Sequence, residues 1–320
     1  MRIKVLDRAT LGFDLPFELL AELGELEVYD FTSPEELIPR ISDADVIIIN
    51  KIKITEDVIK NTPVLKLVCV FATGYDNVDV FCASENGVAV CNVPAYSTNS
   101  VTLFTMATVL SLCTHLNEYR AHVASGSYTE AGKSNCIVPV YHELSGKTWG
   151  IVGFGNIGRA VAKVAEALGA KIIVNKRVAC DDYECVDIDR LCEESDIITL
   201  HVPLNESTRC LINRARISRM KKSVVLVNEA RGAILDEEAV CDAVLEGRIG
   251  AFGCDVYSSE PFDKKHPYTK IMKLDNVCLT PHSAWGAYEA RERCLKVIIE
   301  NIKSYTRGET LNRVDILKQN

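Results

Sequence analysis

The stretch Thr148–Arg177, TWGIVGFGNIGRAVAKVAEALGAKIIVNKR, decides the fold. Its apolar run, Trp149 to Val152, reads as a buried strand and leads into a turn carrying Gly153, Gly155 and Gly158. A helical pattern follows, with Ile157, Val161, Val164, Ala165 and Leu168 on one expected face, and Gly169 closes it. A second apolar run, Ile172 to Val174, begins at once. Strand, G-x-G-x-x-G, helix and strand within about 30 residues is the layout of a dinucleotide-binding βαβ unit. The first glycine permits a tight turn, the second lets a pyrophosphate approach the backbone, and the third lets helix and strand pack closely. The helix N-terminus offers its unpaired N–H groups to the anion.

The residues after the second strand bear on which nucleotide is held. An NAD site carries Asp or Glu about 20 residues past the first glycine, to bind the ribose 2′-OH. Here that position is Asn175, followed by Lys176 and Arg177. A neutral residue beside two cations removes repulsion of a 2′-phosphate and supplies charged donors for it, which favours NADP(H) over NAD(H). The alternative is a solvated basic turn beside an NAD site that uses Asn as its ribose partner.

A chain of 320 residues, 48% apolar and 25% charged, is long enough for two domains with cores of their own. Its net charge of −8 argues against nucleic acid or an anionic membrane as partner. Thirteen cysteines are scattered without a C-x-x-C, which reads as reduced thiols, Cys69 and Cys91 among them as small core residues. The N-terminus MRIKVLDRAT has no signal-like apolar region, and no apolar run reaches membrane-spanning length. These features point to a soluble, cytoplasmic protein.

Ahead of the glycine turn, apolar runs at Ile3–Leu6, Glu27–Tyr29, Val46–Ile49, Leu67–Phe71 and Val88–Cys91 alternate with helical or turn segments. The segments are Phe17–Leu23, Pro34–Ile41, Glu56–Lys60 and Val78–Asn86. Such alternation predicts a second parallel sheet covered on both faces. Ser97–Ser125 is expected to be one long helix crossing between domains. Strands are expected at Ile197–Leu200, Val224–Val227, Gly250–Cys254 and Val277–Leu279, with helices at Arg190–Glu194, Asn213–Met220 and Asp236–Glu246. The tail Tyr288–Tyr305, apolar at Cys294, Val297, Ile298 and Ile302, is expected to return to the first domain. The predicted architecture is α/β, with two Rossmann-like doubly wound domains. Residues 1–97 plus 289–320 form a flavodoxin-like substrate domain, and 98–288 form the dinucleotide domain.

Three later stretches place polar residues at strand ends, where an open α/β sheet binds its ligand. VLVNEARGAI carries Arg231, GAFGCDVYSSEP carries Asp255 and Glu260, and NVCLTPHSAW carries His282. His can protonate a developing alkoxide, a carboxylate beside it stabilises the imidazolium, and Arg can grip a carboxylate through two parallel bonds. His201 in TLHVP also ends a strand, so position alone does not single out His282. No Cys–His cluster suggests a metal.

VGFGNIGR, HVPLNESTR, VNEARGAILDEEAV, GCDVYSSEP and TPHSAW, in this order, resemble the motifs of the D-isomer-specific 2-hydroxyacid dehydrogenase family. NVPAYSTNSV and FATGYDNVD are similar to its interdomain and substrate-loop segments, and the resemblance runs from about residue 45 to 305. It implies an active site in an interdomain cleft, a homodimer, and a small 2-keto or 2-hydroxy acid as substrate. It also implies that Arg231 binds that substrate, that His282 donates the proton and that Glu260 supports it. The implied cofactor contacts are Gly153, Gly155, Asn156, Ile157, Gly158, Asn175, Lys176, Arg177, Val202, Pro203, Glu229, Ala230 and Asp255, the last near the nicotinamide. The implied substrate contacts are Lys51, Thr73, Gly74, Tyr75 and Trp285, besides Arg231 and His282. IINK, the FATGYDNVD loop and the Ala284-Trp285 pair lean toward hydroxypyruvate and glyoxylate reductases within the family. D-lactate, D-2-hydroxyisocaproate and phosphoglycerate dehydrogenases remain alternatives, and so does a dinucleotide-sensing corepressor. The chain departs from the family pattern at three positions. Asn175 replaces the usual acid, Leu103 a commonly polar residue, and Glu229 a small or apolar one. Glu229 has no role in this reading beyond facing the cofactor or binding Arg231.

Overall fold

The computed structural model describes residues 1–178 and 182–316. Cys180 and the last four positions of the expected first domain therefore lie outside the described residues. The chain divides into two compact units, one of residues 1–97 and 286–320, the other Thr98–Trp285.

In the first unit, strands β1 (Arg2–Val5), β2 (Glu25–Val28), β3 (Val46–Ile49), β4 (Leu67–Val70) and β5 (Ala89–Cys91) form a sheet of order β2-β1-β3-β4-β5. Every pairing is parallel. β3 (VIII) and β4 (LVCV) are buried throughout because helices cover both faces of a parallel sheet. Helix α1 (Pro34–Ile41) starts where Ser33 and Glu36 cap one another reciprocally with Pro34 in the first turn. Helices α2 (Glu56–Lys60) and α3 (Val80–Glu85) start at Thr55 and Asp79, whose side chains accept from the backbone three residues on. The expected helix Phe17–Leu23 is a 3-10 helix. The C-terminal helix Tyr288–Thr306 belongs to this unit, its buried Asn301 donating Nδ2–H to the Asn92 carbonyl.

The second unit opens with α4 (Thr98–Cys113), α5 (Leu116–Ala124) and α6 (Ser127–Ala131). The single helix expected over Ser97–Ser125 is therefore two. The break falls at His115, whose φ of 52° is left-handed and cannot continue a right-handed helix. Its ring holds the break, with Nδ1 2.6 Å from Glu118 Oε1. The sheet comprises β6 (Thr148–Val152), β7 (Lys171–Asn175), β8 (Glu184–Cys185), β9 (Ile197–Leu200), β10 (Val225–Asn228), β11 (Ala251–Cys254) and β12 (Val277–Leu279). Its order is β12-β11-β10-β9-β6-β7-β8, again wholly parallel. From β6 the chain winds one way to β7 and β8, then the other way from β9 onward, so β6 and β9 flank the switch point. Helices α7 (Asn156–Ala167), α8 (Ile188–Glu194), α9 (Arg214–Arg219) and α10 (Glu237–Leu245) connect these strands.

α7 buries Gly158, Val161, Ala162 and Ala165, whereas Val164 and Leu168 are 41% and 42% exposed. The expected apolar face is thus rotated. A Cβ on Gly158 would stand 2.2 Å from Gly153 O, so the helix is drawn in along that glycine and Val164 is carried to the flank. α4 lies on the same sheet, where Thr108 Cγ2 would be 2.5 Å from a Cβ on Gly253. Trp149 in β6 is wholly buried and donates Nε1–H to Thr199 Oγ1 in β9 at 3.0 Å. Among the described residues, no helix is long and apolar enough to cross a membrane.

Candidate active site

The glycine turn sits at the switch point of the second unit. Gly153 has φ +92°, and a Cβ there would lie 2.7 Å from the His201 backbone and from Val202 Cγ1. The end of β9 is packed directly onto the turn, and that places Val202 beside it. Gly155 opens α7, and a Cβ there would meet nothing within 4 Å. No side chain caps this helix N-terminus. The exposed Asn156, half-buried Ile157 and buried Gly158 therefore begin the helix under an open backbone surface of the kind a pyrophosphate needs. These residues fit a dinucleotide. Asn175 spends its Nδ2–H on the Val186 carbonyl, while its own carbonyl takes the Gly153 N–H. Lys176 Nζ lies 5.8 Å from the Phe154 ring centroid, Arg159 lies 4.5 Å from it, and Arg177 is exposed. A cavity of about 430 Å³ opens alongside, lined by Phe154, Arg159, Lys163, Glu166, Asp182 and Tyr183.

Three loops at the other side of the switch point carry Arg231, Glu260 and His282. Arg231 follows β10 in a turn stapled by Asn228, whose Oδ1 accepts Ala230 N–H and whose Nδ2–H donates to Arg231 O. The next residue, Gly232, has no room for a side chain, since a Cβ would stand 2.0 Å from Tyr257 C and 2.2 Å from Ser258 N. That contact lays the loop bearing Glu260 against the Arg231 turn. Glu237 at the start of α10 accepts the Ser258 N–H and lies 3.1 Å from His266 Nε2, holding the same loop from behind.

Asp255 fixes the third loop. Its Oδ1 accepts Thr280 Oγ1–H at 2.6 Å and Ser283 N–H at 2.8 Å, and its Oδ2 accepts Ala284 N–H at 2.8 Å. Its carbonyl takes the His282 N–H. The structure thus gives this 1% exposed carboxylate a job that sequence did not suggest: it pins His282, whose φ is 53°. With the loop so fixed, His282 Nδ1 lies 2.6 Å from Glu260 Oε2, and Glu260 Oε1 accepts Tyr257 N–H. With Nδ1 engaged by Glu260, the ring has a carboxylate beside it that favours its charged form. A His–carboxylate pair beside an Arg turn can protonate an oxygen and grip a carboxylate.

His201 is the contrasting case. Its Nε2 is out of solvent without a partner, and burial pulls the imidazole down to about 3. Glu229 faces neither Arg231 nor open surface. Its Oε2 lies 2.5 Å from Thr105 Oγ1 and its Oε1 3.1 Å from Thr108 Oγ1, both on α4. Pro203 is exposed, Ala230 is half-buried, and half-buried Trp285 is the last residue of this unit.

The first unit has its own polar switch point between β1 and β3. Asp7 accepts the N–H groups of Asn50 and Lys51 at 2.7 to 3.1 Å, fixing the strand end that carries Lys51. Burial raises the Asp7 carboxyl, opposed by these backbone bonds. Thr73 Oγ1–H donates to Val93 O and Thr73 O accepts from Asn92, so the loop carrying Gly74 and exposed Tyr75 is tied to the end of β5. Asp7 was legible only as a polar residue after a strand.

The family model for the NAD-binding domain of D-isomer-specific 2-hydroxyacid dehydrogenases matches residues 106–284. The chain belongs to this family. It is an oxidoreductase acting on the CH–OH group of 2-hydroxy acids, and its cofactor is a nicotinamide dinucleotide. A hydroxypyruvate reductase of Blautia hydrogenotrophica is 37% identical over 98% of this chain and all of its own. An acyclic imino acid reductase solved with NADPH and D-Arg superposes with a TM-score of 0.87 at 32% identity, covering 98% of this chain and 100% of that one. A D-lactate dehydrogenase of Aquifex aeolicus solved with NAD and lactic acid gives 0.88 at 28% identity, covering 99% and 100%. Structural kinship thus spans relatives solved with either cofactor, and this family member's own residues must decide between them.

Proposed function

We propose that this enzyme reduces hydroxypyruvate or glyoxylate to the corresponding 2-hydroxy acid, the D isomer where the product is chiral, with NADPH preferred over NADH. The observation that carries the reading is the His282 Nδ1–Glu260 Oε2 pair of 2.6 Å, held beside the Arg231 turn. When bound, the reduced nicotinamide supplies a hydride to the substrate's C2. His282 Nε2 delivers the proton to the carbonyl oxygen, and Glu260 stabilises the imidazolium before transfer. Arg231 anchors the carboxylate and polarises the carbonyl, so that developing charge meets a donor already in place. Gly153, Gly155 and the first turn of α7 hold the pyrophosphate.

The NADPH preference rests on a neutral Asn175 with its amide turned to Val186, and on Lys176 and Arg177 after it. The substrate reading draws support from the hydroxypyruvate reductase relative and from Trp285, three residues past His282. Its indole limits the substrate's side chain to hydroxymethyl or hydrogen. Exposed Leu116, Val123, Ile137, Val138 and Val140 support a homodimer, which light scattering on the purified protein tests. The cysteines, scattered without a C-x-x-C, support a reducing, cytoplasmic setting.

Initial rates with hydroxypyruvate, glyoxylate, pyruvate and 2-ketoisocaproate, each with NADPH and NADH, test the proposal. Fast NADPH-dependent reduction of the first two is expected. An NADH preference would overturn the cofactor assignment alone, and a 2-ketoisocaproate preference the small pocket.

A further inference from the structure

Glu229 is the first residue after β10 and lies two residues before Arg231, inside the turn that presents it. It is 9% exposed. Its partners Thr105 and Thr108 are three apart on α4 and so share one face. The proton count at Thr105 decides the state of the carboxyl. Thr105 Oγ1 lies 2.8 Å from Val101 O and 2.5 Å from Glu229 Oε2, yet a hydroxyl has one hydrogen. A backbone carbonyl can only accept. If Thr105 gives its hydrogen to Val101, the 2.5 Å contact needs a hydrogen from Glu229. A carboxylate at that distance would instead compete with Val101 for one proton and leave one oxygen pair in bare repulsion. A carboxylic acid satisfies every group: Glu229 donates to Thr105, Thr105 to Val101, and Thr108 to the remaining carboxyl oxygen.

We propose that Glu229 works as a neutral carboxylic acid, a hydrogen-bonded bolt between α4 and the end of β10, and that its ionisation in mild alkali releases the turn that positions Arg231. Glu229 is thereby a positioning residue, and its link to activity rests on the reading of Arg231 as the substrate anchor.

The surroundings agree. The titratable groups facing Glu229 are Asp255 beyond β11 and the thiols of Cys254 and Cys278 on β11 and β12. Burial pushes the carboxyl up to about 8, a threonine hydroxyl lowers it only where it donates to the carboxyl, and Asp255 raises it further. An acid whose folded value is raised costs stability as pH climbs. The unfolded chain ionises near its ordinary 4.5 while the folded chain stays protonated, so stability falls between about 4.5 and 8 and is level above.

Glu229→Gln supplies the neutral form permanently, with an amide N–H for Thr105 and a carbonyl for Thr108. Melting temperatures of wild type and E229Q are expected to diverge in the variant's favour from about pH 5 to about 8 and to run parallel above. An infrared difference spectrum at pH 7 should show one protonated carboxyl stretch in wild type that E229Q lacks. The KM for hydroxypyruvate should rise about tenfold between pH 7 and 9 in wild type, as the competent fraction falls, and stay flat in E229Q. Parallel melting curves over the whole range, or no protonated carboxyl at pH 7, would overturn the neutral acid. A wild-type KM rise that persists in E229Q would overturn the positioning role. Lack of turnover with any keto acid would strike the activity reading and leave the melting and infrared results to decide the proton.

Discussion

Two histidines end strands on the same edge of one sheet, and their surroundings separate them. His282 stands half-open with Nδ1 bonded to Glu260, whereas His201 has an Nε2 out of solvent and no acceptor for a second proton. Burial disfavours the charged ring, so His201 is expected to stay neutral from pH 5 to 9. Its imidazole proton shifts in an NMR titration should not move across that range; a midpoint near 6.5 would contradict the account. Arg231 should resist its commonest replacement. A lysine carries the charge without the planar fork, so Arg231→Lys is expected to raise the keto-acid KM at least about tenfold, roughly 1.4 kcal/mol, with cofactor affinity held. The strand-end positions of Arg231, Glu260 and His282 could be read in the sequence, but His201 shares such a position, and it was the order of the family-like motifs that singled the three out. The role of Asp255 could not be read there, since its partners Ser283 and Ala284 are 28 and 29 residues away along the chain and are brought to it by the pairing of β11 with β12.

At the scale of elements, the runs buried on both faces were the easiest to read. Val46–Ile49 and Ile197–Leu200 occur where their apolar letters predict, because parallel strands have no polar side. Two-residue β8 gave no signal, as Glu184–Cys185 has neither length nor alternation. The break at His115 was also hidden, for no glycine or proline marks it. Loop-to-loop contact at Gly232 has a direct consequence. Gly232→Ala would force its Cβ into the Tyr257–Ser258 backbone and push Glu260 away from His282. Turnover is expected to fall at least tenfold while cofactor binding, built on the separate glycine turn, is kept; about a tenfold loss corresponds to 1.4 kcal/mol of barrier. Kinetics paired with fluorescence titration of the cofactor distinguish that outcome from general unfolding.

At the scale of the molecule, two parallel sheets each place polar loops at a switch point, and the division of labour between them follows from what those loops carry. The second unit holds the glycine turn together with Arg231, Glu260 and His282, so the proposed cofactor preference and the proposed chemistry both rest on residues of one unit. Asn175, Lys176 and Arg177 were legible as a departure from an NAD site, but the turn of the Asn175 amide toward Val186 depends on β8 and could be seen only in the fold. Trp285→Ala should widen acceptance, raising kcat/KM for 2-ketoisocaproate relative to hydroxypyruvate. An unchanged ratio would remove Trp285 from the pocket. The central claim is that His282, held by Glu260, is the proton donor for reduction of a small 2-keto acid. It is tested most directly by comparing wild type with His282→Ala in the reduction of hydroxypyruvate, with cofactor affinity titrated in parallel. The account predicts D-glycerate from the wild type, and a kcat lowered by about 10²–10⁴ in the variant at unchanged cofactor affinity. A variant that turns over at the wild-type rate, or that loses its cofactor along with its activity, would contradict it.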